Sequence, residues 1–238
     1  MKLDILAFGA HPDDVELGAA GTLAKHQALG YKTGIVDLTR GEMGTRGSRE
    51  IRNAEASKAA EILNLTAREN LDLRDGFIAN DEESQIKVIQ VLRKYQPDVI
   101  LCNAPHDRHP DHGRASELVV RAAFLAGLRR IETFEDGEPQ QPWRPRSIYH
   151  YIQFYDLEPN LIVDITGYMD QKMESVEAYS SQFYDPNSKE PQTLIAQKDF
   201  LDMIRFRAQN FGIHIGVEYG EPFIVERVPG VDDLTQIL

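Results

Sequence analysis

The 238-residue sequence predicts an α/β fold with a mostly parallel sheet flanked by helices, and three observations carry that reading. Short apolar runs alternate with segments of about 12 to 16 residues whose hydrophobic side chains recur at helical spacing. Punctuating residues such as Gly30, Ser48 and Pro97 fall between these segments. The run Asp98-Val99-Ile100-Leu101-Cys102 is almost wholly apolar, as a parallel strand covered on both faces requires. Alternation of this kind with right-handed crossovers gives a doubly wound, Rossmann-like sheet.

In chain order, residues 3–10 read as a buried strand, 17–29 as a helix with Gly30 at its C-cap, and 33–38 as a second strand. Ser48, with Ile51 three residues on, opens a helix to Leu63, and residues 70–73 read as a third strand. A polar helix over 82–95 is stopped by Pro97, which introduces the fourth strand. The second half predicts strands at 147–154 and 161–165, helices at 167–181 and 192–211, and a C-terminal β-hairpin extension over 214–228. Between Arg130 and Arg146 the chain carries Glu132, Glu135, Asp136, Glu138 and three prolines, which reads as a surface loop, a lid or an interface rather than a linker. A single domain over 1–238 follows, without internal repeats or low-complexity tracts.

A chain of this length removes roughly 70 to 75% of its unfolded surface from water, so any metal is expected to serve chemistry rather than folding. With 26 Lys plus Arg against 38 Asp plus Glu, the net charge of -12 argues against nucleic acid and anionic membrane surfaces as partners. The single cysteine, Cys102, sits in an apolar run and reads as a core thiol in a reducing compartment. No apolar run approaches the ~18 residues of a membrane helix, and the N-terminus enters a strand without signal-peptide features, so a cytoplasmic protein is expected.

Ligands of open α/β sheets bind beyond the carboxyl ends of the strands. There the sequence places Gly9-Ala10-His11-Pro12-Asp13-Asp14 after the first strand and His106-Asp107-Arg108-His109-Pro110-Asp111-His112 after the fourth. Three of the seven histidines fall within this second run, where packing gives histidine no reason to concentrate. If the two loops converge, two imidazoles and one carboxylate can take three corners of a tetrahedron around Zn²⁺, with the fourth left for a catalytic water. Turn and cap roles are the plainer alternative, with Asp13 or Asp14 capping one helix and His109 or Asp111 starting another. Each cluster alone admits that explanation, but both at one sheet edge favour chemistry. His26 reads as a surface residue, His150 as a core residue, and His214 is left open on the structural side.

The run from Ala10 to Asp14 with Glu16, and the later His109-Pro110-Asp111-His112, resemble the zinc-dependent N-acetylglucosaminyl deacetylases of the PIG-L or LmbE-like family. The stretch from Gly41 to Gly47 with Arg49, Arg52 and Glu55 resembles more narrowly the deacetylases of bacillithiol biosynthesis, which act on N-acetylglucosaminyl malate; the segment from Gly216 to Phe223 also looks familial. The resemblance implies His11, Asp14 and His112 as metal ligands, Zn²⁺ or alternatively Fe²⁺ as cofactor, and Asp13 as general base. Successive side chains at a strand end diverge, so the adjacent aspartates are expected to divide these tasks. His109 matches a second functional histidine; held by Asp111, it is expected to stay protonated and to stabilise the oxyanion or protonate the leaving amine. Family members are often oligomeric, so a homo-oligomer is expected.

Arg46, Arg49 and Arg52 concentrate positive charge near the end of the second strand. They read either as a solvated helix face or as a receptor for a substrate carboxylate, for which Arg52 is preferred from the family match, Arg108 is a second candidate, and Glu42 is assigned to sugar hydroxyls. The expected function is metal-dependent hydrolysis of an N-acetylglucosaminyl conjugate by metal-activated water. The alternatives are another conjugate, a non-haem Fe(II) oxygenase with the same ligand types, and a non-enzymatic metal-binding module. An oxygenase has no need of Asp13 or a protonatable His109, and the first loop lacks the glycine pattern of a nucleotide site.

Overall fold

The computed structural model describes residues 1–237. Its strands are β1 (Ile5–Gly9), β2 (Thr33–Thr39), β3 (Ala67–Leu73), β4 (Val99–Asn103), β5 (Phe134–Glu135), β6 (Glu138–Pro139), β7 (Ser147–Tyr151), β8 (Leu161–Asp164) and β9 (Gly220–Val225). The helices are α1 (Asp14–Ala28), α2 (Arg49–Ile62), α3 (Glu82–Tyr95), α4 (Pro110–Ala126), α5 (Met169–Glu177) and α6 (Phe200–Ile215). Seven strands form one sheet in the order β3-β2-β1-β4-β7-β9-β8. The first five are mutually parallel, and β9 runs antiparallel to both β7 and β8.

This order puts a topological switch point between β1 and β4: the chain leaves β1 toward β2 and β3, then returns to β4 on the other side. The loops after β1 and β4 therefore emerge side by side, the usual position of a ligand site in such sheets. Alternation along the strands explains why both faces are covered. Leu6, Phe8, Ile100 and Cys102 pack against α3 and α4, while Ile5, Ala7 and Leu101 pack against α1. Tyr151 closes the second layer by donating its hydroxyl to the Phe8 carbonyl at 2.9 Å. Gly18 on α1 is required there, because a Cβ would overlap the Tyr151 ring.

Several boundaries differ from the sequence reading for identifiable reasons. Helix α1 begins at Asp14 rather than Leu17, since its first turn is built from acidic site residues instead of the apolar residues that signal a helix. Strand β3 begins at Ala67 rather than Asn70; Arg68 interrupts the apolar pattern but sits in a pocket of opposite charge, bonded to Asp37, Glu16 and the Tyr179 hydroxyl. Helix α6 starts at Phe200 rather than at 192 and runs on to Ile215, so His214 lies exposed on its last turn. The segment 214–228 accordingly supplies one antiparallel strand, β9, rather than two hairpin arms. Among the described residues an antiparallel hairpin is formed by β5–β6, inside the acidic loop, turning on Asp136 and Gly137 at φ 51° and 85°. His150 is buried as expected, 3.0 Å from Ser116 Oγ and the Asn103 carbonyl, beside the buried Cys102, and His26 donates to the Thr22 carbonyl on its own helix. Among the described residues, no helix is long and apolar enough to cross a membrane.

Candidate active site

The first loop is shaped by an unusual backbone. Asp13 has φ 116°, a region that residues with a side chain rarely adopt, and such strain concentrates at functional sites. It occupies the N-cap position of α1, yet its side chain makes no cap bond, which removes the simple capping explanation. The turn sends the adjacent carboxylates apart. Asp14 faces His11 and His112, and Asp13 faces Arg52, whose guanidinium lies 3.3 Å from its Oδ2 and also binds the Pro12 carbonyl.

Asp14 is held from four directions. The His11 amide donates to Oδ2 at 2.9 Å, Asn103 donates to the same oxygen at 3.2 Å, Gln153 donates to Oδ1 at 2.9 Å, and His112 Nε2 lies 3.1 Å from Oδ1. Asn103, at the end of β4, also accepts from the Ala10 amide at 2.9 Å, so one buried amide side chain ties the two loops together. Each imidazole next to Asp14 has a carboxylate behind it. His112 Nδ1 is 2.7 Å from Asp107, and His11 Nε2 is 3.0 Å from Asp75 and 3.5 Å from Asp111. These partners orient the rings and leave His112 Nε2 and His11 Nδ1 turned toward Asp14, the arrangement typical of metal-binding histidines.

The ligating atoms of His11, His109 and His112 come within 4.8 Å of one another, as do those of His11, Asp75 and Asp111. The cluster fits a divalent cation such as Zn²⁺ or Fe²⁺ on its own chemistry. Five carboxylates, Asp13, Asp14, Asp75, Asp107 and Asp111, crowd around three imidazoles and the single guanidinium of Arg52, and one oxygen of Asp111 is buried without a hydrogen-bond partner. Buried charge of one sign requires compensation. Without a cation the histidines take that role: burial opposes their charged forms, but Asp14 and Asp107 still raise His112 to about 9, and Asp111, Asp14 and Asp75 raise His11 well above its usual range. Burial alone would raise Asp14, but His112 and His11 hold it far below the usual carboxylate range. For Asp13 burial wins over the Arg52 charge and pushes the carboxyl up to about 7.

His109 starts α4, and its Nδ1 accepts the Asp111 amide proton at 3.3 Å, so the helix-start role holds for this residue. The Asp111 carboxylate turns away, toward the Gly76 amide at 2.7 Å and His11. Burial and the neighbouring His11 and His112 charges push His109 below its usual pKa, a direction opposite to the protonated state expected from the sequence. Its proton then resides on Nε2, beside the other two rings, with centroids 4.6 Å from His11 and 5.2 Å from His112.

The arginines separate. Arg46 is buried against the Ser181 carbonyl and Ser188, Arg49 pairs with Asp72 at the surface, and Arg52 alone of the three reaches the catalytic edge. Arg108 is exposed at the rim, its guanidinium 4.9 Å from the Phe154 ring centre. Glu42 is exposed and accepts from the Asp75 amide at 2.9 Å. A cavity of about 230 Å³ is lined by Asp13, Asp14, Arg52, Asp75, His109 and Arg108, among others. Sequence reasoning missed the supporting roles of Asp75, Asp107, Asn103 and Gln153. Two of them had a local signal: Asp107 lies inside the histidine run, and Asn103 is a polar residue closing an apolar strand. Replacing Asp107 by Ala is expected to weaken metal binding about 10- to 100-fold, measured by chelator competition, because His112 loses the group that orients it. Unchanged affinity would remove Asp107 from the site's support.

Comparison with known proteins agrees with this geometry. Residues 6–123, which span both loops, match the family described as PIG-L, GlcNAc-PI de-N-acetylase. A diacetylchitobiose deacetylase from Thermococcus kodakarensis is 31% identical, the match covering 75% of this chain and 70% of that protein. A 4-oxalmesaconate hydratase from Pseudomonas putida is 26% identical over 74% of this chain and 73% of its own. A probable N-acetyl-alpha-D-glucosaminyl L-malate deacetylase 2 from Bacillus subtilis is 27% identical over 76% and 84%. Among solved structures, the conserved protein TT1542 from Thermus thermophilus superposes with TM-score 0.84 at 38% identity, over 97% of this chain and 98% of that one. With both loops inside the matched span and a His/Asp cluster suited to a divalent ion between them, the chain belongs to the PIG-L, or LmbE-like, family of zinc-dependent deacetylases.

Proposed function

We propose that this deacetylase acts on N-acetylglucosaminyl malate, with His11, Asp14 and His112 as the metal ligands and Asp13 as the general base. The observation that supports it most is the split of the adjacent aspartates, Asp14 between two imidazoles and Asp13 free of them on the cavity wall. A divalent ion held there supplies Lewis acidity, polarising the amide carbonyl and making water more acidic. Asp13 takes a proton from the attacking water, a task for which a buried carboxylate on the cavity wall is suited. His109 Nε2–H donates to the oxygen that gains negative charge, and Asp13 returns its proton to the departing amine. Arg52 steadies the Asp13 carboxylate through its contact at 3.3 Å. Asp111 contributes through His11 and the Gly76 amide rather than through His109.

For the malate carboxylates Arg108 is the first choice, because its guanidinium is exposed at the cavity rim, whereas that of Arg52 is already engaged by Asp13 and Pro12. Glu42 is not part of the cavity lining, so its assigned role toward sugar hydroxyls is indirect, through the Asp75 amide that it holds. Acetate release from N-acetylglucosaminyl malate and from diacetylchitobiose, each with and without chelator, tests the reading. Loss of a charge-assisted hydrogen bond costs about 1.5 to 3 kcal/mol, so Arg108→Ala is expected to lower kcat/KM for the malate conjugate by roughly 10- to 150-fold relative to the neutral disaccharide. Equal turnover of the two substrates by the wild-type enzyme would reject malate and leave the deacetylase assignment intact.

A further inference from the structure

A second cavity, of about 270 Å³, adjoins the catalytic one. The two share Leu17, Arg108, His109, His112, Gln153 and Ile195. Their chemistry differs. The catalytic cavity is lined by the charged groups Asp13, Asp14, Arg52 and Asp75 and is polar, whereas the second is walled by Ile152, Phe154, Phe200, Met203, Ile204 and Ala208. Most of its charged groups are already committed: Lys172 and Glu221 pair at 2.6 Å, Lys172 also donates to the Leu17 carbonyl, and Glu221 accepts from the Gly21 and Thr22 amides. Asp107 holds His112, and Arg207 pairs with Asp156 and donates to the Phe154 and Tyr155 carbonyls, which leaves the Arg207 Nε and the exposed Arg108 as polar groups of the lining. The wall therefore offers a ligand mainly apolar contact.

From this juxtaposition of a polar and an apolar cavity across His109 and His112, we infer that the second cavity is an acyl-chain site and that the enzyme hydrolyses N-acyl amino sugars with chains longer than acetyl. The inference rests on the amide hydrolysis proposed above. In a secondary amide the sugar lies on the nitrogen side of the reacting carbon and the acyl chain on the other. With the sugar hydroxyls in the polar cavity, the chain passes the histidine pair into the apolar one. Water oxygen bonds to the acyl carbon, the C–N bond breaks, the nitrogen gains a proton, and the products are a carboxylate and a free amino sugar. An acetyl methyl leaves most of the apolar cavity unfilled, whereas each added methylene that it buries contributes about 0.8 kcal/mol, roughly a fourfold gain.

The test is a series of N-acetyl, N-butyryl, N-hexanoyl and N-octanoyl glucosamine, assayed with metal-loaded wild-type protein. Expected is a rise in kcat/KM of at least about tenfold from acetyl to hexanoyl, and a fall of similar size in that ratio for Ala208→Phe, which narrows the cavity. Met203→Trp, at a more exposed position on the same wall, gives the same readout should the first variant fold poorly. Calorimetric binding of hexanoate against acetate reads the site without turnover, and hexanoate is expected to bind at least tenfold more tightly. A preference for acetyl throughout, equal binding of the two carboxylates, or a gain that instead follows the alkyl chain of hexyl N-acetylglucosaminide overturns the acyl-chain site while leaving deacetylation standing. Absence of hydrolysis of every N-acyl sugar overturns the function proposed above, and this inference with it.

Discussion

Alanine at His11, Asp14 or His112 is expected to strip the bound metal and abolish hydrolysis, with a loss of affinity well beyond the about 100-fold typical of removing an outer partner. Asp14→Ala is expected to be the most severe, because that carboxylate touches both imidazoles and organises Asn103 and Gln153 around itself. Atomic spectroscopy of the purified variants measures the effect. The geometry also defines the rival outcome. Asp75 and Asp111 gather around the other nitrogen of His11, so a metal seated there would survive Asp14→Ala and be lost in Asp75→Ala. Full occupancy in the Asp14 variant would therefore move the centre by one side of an imidazole ring.

The same cluster sets a pH dependence for the metal-free protein. His112, at about 9 against an ordinary value of 6.5, gives stability that is fully present below pH 6.5 and lost as pH rises through 9. A metal must displace these protons, so its affinity is expected to increase across that window, with proton release visible in calorimetry in buffers of different ionisation enthalpy.

The catalytic edge was legible from sequence because two rules combined: ligands sit at carboxyl strand ends, and histidine rarely clusters in a turn without a task. Those rules direct attention to the loops that hold His11, Asp13, Asp14, His109 and His112, whose separate roles rest on the family resemblance, and the switch point between β1 and β4 explains why the two loops meet. What escaped are the groups that support them. Asp75 lies 64 positions from His11 in a loop after β3, a strand whose length the pattern understates because Arg68 and Glu69 break its apolar run. The three arginines look like one patch in the sequence. Their partners lie on elements distant along the chain, Ser181 for Arg46, Asp72 for Arg49 and Asp13 for Arg52, and these partners decide which of them faces the site. Aromatic and aliphatic residues of α6 that wall the second cavity read, at helical spacing, as ordinary core residues, since periodicity cannot tell a packed neighbour from an open space.

Asp13→Asn is expected to separate metal binding from catalysis. The amide keeps the size of the side chain and can still accept a hydrogen bond from Arg52, so the backbone turn at φ 116° and the neighbouring Asp14 have little reason to move. Metal content is expected to stay near that of wild type. The variant cannot accept a proton, however, and loss of a positioned general base costs about 10² to 10⁴ in kcat. In the wild-type enzyme the same group imposes an acidic limb on the rate profile: buried Asp13 sits at about 7 without a metal, a nearby cation lowers it, and activity falls as pH drops through the resulting value. The variant is expected to lose that limb along with its rate. His109→Ala offers the contrast, since removing a hydrogen-bond donor to the oxyanion lowers kcat by about 10² to 10³ and leaves the acidic limb of Asp13 in place. An Asp13→Asn enzyme with full metal, full activity and an unchanged profile would return Asp13 to the role of a strained turn residue, and the base would have to be sought among Asp75 and Asp111, the remaining carboxylates around His11.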